Sequence, residues 1–158
     1  MTVIDCVGAV VMASIKLAWN RDIQALAELV GRKIDHMAKA LEAHGVDPLF
    51  DVVDVYKFAR RDDPGGFNIS PVIERALLLL DRDAIHIQHD DWYAFWERYQ
   101  TYPTQPQIKL VALSERAESA LPRIARHIPE TGIRVTYRGE LNQRLVIMFA
   151  LIYVAEKL

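Results

Sequence analysis

Residues 26–45 read LAELVGRKIDHMAKALEAHG, and the glycine at position 31 decides how the first third of the chain folds. Upstream of it, Ile23, Leu26, Ala27 and Val30 form one helical stripe, and Asn20 stands where an N-cap belongs. Downstream, Ile34, Met37, Ala38 and Leu41 share a face, and Gly45 suits the left-handed position that ends a helix. Glycine in a helix interior costs about 1 kcal/mol relative to alanine. The expectation is therefore two short helices, 21–30 and 33–44, turning at Gly31.

Before this pair, residues 3–19 carry apolar side chains at near-helical spacing and are expected to be helical. After it, Val53 and Val55 sit among polar residues, which predicts a strand over 51–59. The run Asp62, Asp63, Pro64, Gly65, Gly66 marks a turn, with a short return strand at 67–69. Ser70 followed by Pro71 is a helix start, and the helix continues through Leu80. Residues 84–88 alternate like a strand, with Asp90 or Asp91 capping an aromatic helix over 92–100. Pro103 and Pro106 mark a linker. Residues 108–128 read as largely helical with a break before Pro122, residues 133–137 as a strand, and residues 139–157 as a long apolar helix. The fold class expected is mainly α with a small β component (α+β). An N-terminal unit spans 1–70, and a helical unit with short strands spans 71–158.

Apolar residues make up 51% of the 158 and charged residues 25%, a globular balance that argues against disorder. The net charge of −2 lacks the basic excess of a dedicated nucleic-acid binder, so only a local cationic face would serve that purpose. Cys6 is the single cysteine, so no internal disulfide forms, and it reads as a small buried hydrophobe. No basic residue precedes the apolar stretch near position 10, which is unlike a secretory signal. The longest apolar run, 145–155, falls well short of the roughly 20 residues that span a bilayer. A cytoplasmic protein is expected, without membrane partner or cofactor.

Ala27, Gly31 and Met37 stand at the intervals of a helix-turn-helix, which needs a small residue at the crossing, a glycine at the turn and an apolar seat beyond. On these residues the segment resembles the helix-turn-helix of bacterial and phage regulators, and residues 51–69 lie where a winged-helix domain carries its wing. Arg32 departs from the pattern, since that place is more often apolar. The resemblance covers about residues 20–70 and implies binding to double-stranded DNA. Arg32, Lys33, His36 and Lys39 would then meet phosphates or base edges, with Arg60 and Arg61 at the wing tip on backbone phosphates. Asp35, Asp62 and Asp63 oppose this. An ordinary helical hairpin with a solvated charged face is the other reading.

Other constellations point elsewhere. Asp81, Asp83, His86, His89, Asp90 and Asp91 form the one dense cluster of metal-ligand types, but nothing in their spacing makes them converge, and no metal is expected. Trp92, Phe95, Trp96 and Tyr99 fall on one helix face and suit a core or a protein-docking surface. The last helix is apolar nearly all round, which predicts burial or pairing across a homodimer. No Gly-rich phosphate loop or nucleophile elbow is present. The preferred reading is a non-enzymatic DNA-binding regulatory protein. The alternative is an adaptor or inhibitor of prophage or toxin-immunity type that works through protein contacts, and the third reading is a small metal-dependent hydrolase.

Overall fold

Residues 145–154 of the last helix are all buried, and this determines the architecture. A helix with no polar face cannot lie on a surface, so other elements must surround it. The structure, a computed structural model, describes residues 12–43, 69–102 and 108–158. Its elements in order are β1 (Met12–Ala18), α1 (Arg21–Ala43), α2 (Ile69–Asp83), a 3-10 turn (Ala84–His86), α3 (His89–Gln100), β2 (Ile108–Ser114) and α4 (Glu115–Ala125), followed by β3 (Thr136–Tyr137), β4 (Glu140–Leu141) and α5 (Gln143–Lys157). The fold is mainly helical with a small β component. Helices α1, α2, α3 and α4 all pack on α5.

The expected break at Gly31 does not occur: α1 runs unbroken from Arg21 to Ala43. Ile23, Ala27, Val30 and Ile34 are each no more than 1% exposed. Their spacing of i, i+4, i+7 and i+11 keeps one helical phase straight across the glycine. Burying that stripe outweighs the cost of about 1 kcal/mol that a glycine imposes. Asn20 caps the helix as expected, its side-chain oxygen accepting from the Ile23 amide at 2.8 Å. Midway along α1, Lys33 Nζ donates to the carbonyl of Ala155 at 2.5 Å, meeting one of the orphan acceptors of the last turn of α5.

Three expected elements take another form. Within residues 3–19, expected to be helical, residues 12–18 are strand β1, and Cys6 lies outside the described residues. Residues 108–114, expected to be helical, are strand β2. The two strands pair antiparallel, from Met12↔Ser114 to Ala18↔Ile108. Ile15, Leu17, Val111 and Leu113 turn inward and are buried, and a run of alternating burial is stable only as a strand. Residues 84–88, expected to be a strand, hold the 3-10 turn instead. The expected strand and turn over 51–69 lie almost wholly outside the described residues.

Side chains of α2 satisfy the far edge of β2. Ser70 Oγ accepts from the Ala112 amide at 3.1 Å, and Glu74 Oε1 accepts from the Ser114 amide at 2.9 Å. Ser114 then caps α4, accepting from the Ala117 amide at 3.2 Å. Pro122 lies inside α4 rather than ending it, because Ala117, Ala120, Leu121 and Ile124 form a continuous buried stripe. Buried residues of β1 and α1 join those of every later helix in one core, so the expected boundary near residue 70 does not separate two cores among the described residues. Residues 136–141 form a hairpin whose two turn residues, Arg138 (φ 54°) and Gly139 (φ 80°), both lie in the left-handed region, as a type I′ turn requires.

Candidate functional site

The residues singled out for DNA contact do not make one basic face. Arg32 and His36 are exposed on α1. Lys33 is committed to Ala155, as above, and Lys39 is paired with Asp35 at 3.1 Å. Arg60 and Arg61 lie outside the described residues. The aromatic helix turns much of its apolar face inward. Trp92 and Phe95 are buried, and both rings pack on Phe149 with centroids 6.2 and 6.0 Å away. Trp96 and Tyr99 pack partly buried against the same core. Phe149 and Ile152 are likewise interior, so burying α5 requires no second copy of the chain.

The His and Asp cluster is dispersed. His86, His89 and Asp90 are exposed, and no group of three or more metal-ligand side chains converges among the described residues. Asp83 instead accepts hydrogen bonds from Arg82, at 2.5 and 2.7 Å, and from the Tyr153 hydroxyl. Partial burial works against the Asp83 charge, but these two donors outweigh it and hold the carboxyl below its usual range. Burial, and then the bond to Asp83, push the Tyr153 phenol well above its ordinary value.

Two surface features remain, and they meet at Lys16. The first is the outer face of the β1/β2 ribbon. In the register, Lys16 lies opposite Leu110 and Ala18 opposite Ile108. Ile108 and Leu110 are each 62% exposed, unusual for large aliphatic side chains in a strand. The second is a cleft of about 450 Å³ between β1, the 136–141 hairpin and the start of α5. Lys16, Arg134, Arg138 and Arg144 line it, against the single carboxylate of Glu140.

Several cations elsewhere on the surface are paired within the chain. Arg98 is paired with Glu156, Arg123 with Asp81, and Lys157 with Asp91. The side chains of Lys16, Arg134 and Arg138 make no ion pair or hydrogen bond among the described residues. Arg138 lies over the Tyr137 ring, 5.2 Å from its centroid, and that ring is 60% exposed. Arg144 donates to the Tyr99 hydroxyl at 2.7 Å, while its buried Nε and Nη2 have no partner among the described residues. A second cleft of about 490 Å³, near Asp22, Arg98 and Glu156, has its one cation engaged in the Arg98–Glu156 pair at 3.2 Å.

The cationic cleft was not foreseen from sequence, because Lys16 is more than a hundred residues from its neighbours in the site. The one local signal was Arg138–Gly139 between short alternating stretches, a hairpin turn that presents an arginine at its tip. Among the described residues no helix is long and apolar enough to cross a membrane. No protein-family model, curated protein or solved structure matches this chain.

Proposed function

We propose that the protein is a non-enzymatic adaptor or inhibitor that binds an acidic protein partner on the outer face of the β1/β2 ribbon. The observation that carries this reading is the pair Ile108 and Leu110, each 62% exposed, with Lys16 directly across from Leu110. Apolar side chains grouped on a surface and bordered by charge are the composition of a protein-binding patch. Lys16 in that patch favours carboxylates on the partner and disfavours basic competitors.

Double-stranded DNA is less well supported as the partner. The helix-turn-helix geometry is absent from α1, two of its four cations are engaged within the chain, and the net charge is −2.

The test places a photo-crosslinking residue at Leu110 in cells where the chain is native, with Ile85, 70% exposed, as the control position. The expected result is one protein adduct at position 110, absent at 85. The identified partner, purified, should bind through an acidic segment and lose affinity with Lys16→Glu. Equal adducts at both positions, or binding unaffected by Lys16→Glu and Ile108→Asp together, would contradict the reading. Salt-sensitive retardation of duplex DNA by the purified protein would replace it.

A further inference from the structure

The geometry points to a second binding site, separate from the ribbon face except at Lys16: the cationic cleft takes a small phosphorylated ligand bearing a planar ring. Four cations against one carboxylate leave the cleft with a net positive charge that no ion pair in the described chain relieves. One carboxylate on a ligand would answer only part of that excess, whereas a phosphoryl dianion answers more of it with several acceptor oxygens.

The start of α5 adds donors. Asn142 serves the amide of Leu145 through its side chain and that of Val146 through its carbonyl. The first-turn amides of Gln143 and Arg144, both of which line the cleft, have no intrahelical acceptor and lie at the positive end of the helix. Arg144 borders the cleft as well, its guanidinium held in place by the Tyr99 hydroxyl.

The rest of the ligand has a place as well. The Tyr137 ring borders the cleft and is 60% exposed; Arg138 lies over one face of it, and a flat heterocycle would stack on the other while the phosphoryl group reaches Arg134 and Arg138. A volume of about 450 Å³ lies within the ordinary range for small-molecule sites, roughly 300–1,000 Å³.

Calorimetric titration at constant ionic strength, with adenosine monophosphate, inorganic phosphate and adenosine as probes, tests the site. Saturable binding of the monophosphate and of phosphate is expected, with none of adenosine. Arg134→Ala should weaken both anions about tenfold, the expectation for one lost charge-assisted contact. Tyr137→Ala should weaken the monophosphate and leave phosphate unchanged. Arg138→Asn keeps a residue tolerant of the left-handed backbone while removing the cation, so its effect is separable from any on folding.

No saturable binding of either anion would overturn the site, as would affinities unchanged by Arg134→Ala. An oligonucleotide that outcompetes the monophosphate at equal phosphate concentration would assign the cleft to nucleic acid instead. None of these outcomes touches Leu110 or Ile108, so the two proposals fail independently.

Discussion

Tyr153 and Asp83 lie 70 positions apart in the chain and share one hydrogen bond that joins α5 to the end of α2. Burial and the bond to Asp83 raise the Tyr153 phenol above its ordinary value, which favours Tyr153 as the donor of this bond at neutral pH. Asp83 titrates below its ordinary value in the folded state. Its contribution to stability is therefore complete above the unfolded carboxylate's pKa, about 3.9, and is lost as pH falls through the lower folded value. Asp83→Asn should destabilise the protein by about 1 kcal/mol at pH 7, a modest figure because the pair is partly exposed to solvent. Urea midpoints measured at pH 7 and pH 3 should show the gap between wild type and variant shrinking at the lower value. An equal gap at both would mean that the Asp83 charge plays no part. At this scale the sequence shows an acidic cluster, and only the fold shows that Asp83 faces a tyrosine.

Among the elements, the hairpin turn places an arginine where backbone preference asks for glycine or asparagine. Holding Arg138 at φ 54° costs about 1 kcal/mol, whereas Gly139 at φ 80° carries no such penalty. Arg138→Gly should therefore leave the fold as stable or raise its stability by up to about 1 kcal/mol, and Gly139→Ala should lower it by a similar amount. Thermal melts of the two variants check the opposite signs. A gain on removing Arg138 would show that its side chain is held in place at the expense of stability, as at binding sites. Helix α1 teaches the complementary lesson. Gly31 looked like a boundary, but the stripe from Ile23 to Ile34 kept its phase, and apolar phase outweighs a single glycine when the stripe is buried. Strand β2 departs from the helix expected there for a related reason: a short apolar run suits helix or strand equally until a pairing partner is known.

For the whole molecule, the pairing of β1 with β2 closes the chain on itself. Lys16 and Leu110 stand directly opposite one another, and the hydrogen bonds from Ala112 and Ser114 to α2 place the even-numbered residues of β2 in the non-hydrogen-bonded pairs with β1. Side chains of such pairs approach closely enough for a disulfide. Lys16→Cys with Leu110→Cys, in a Cys6→Ser background, should oxidise readily and add up to about 4 kcal/mol to stability by closing a long loop. Denaturant unfolding with and without reductant measures the gain. Failure to oxidise in the folded state would contradict the register, and with it the single core that joins residues 12–43 to the remainder.

Composition and pattern alone determined that the chain is mainly helical, that α2 begins near Ser70 and Pro71, that Asn20 caps α1, and that the final apolar helix must be buried. These features follow from side-chain periodicity and capping, which act within a few residues. Tertiary structure decided the rest: that α1 passes through Gly31, that residues 12–18 and 108–114 are strands, that the aromatic helix faces Phe149, and that Lys33 ends on Ala155. It alone gathered Lys16, Arg134, Arg138 and Arg144 around one cleft. Those outcomes depend on contacts between segments far apart in the chain, where burial and pairing free energies exceed local preferences of about 1 kcal/mol.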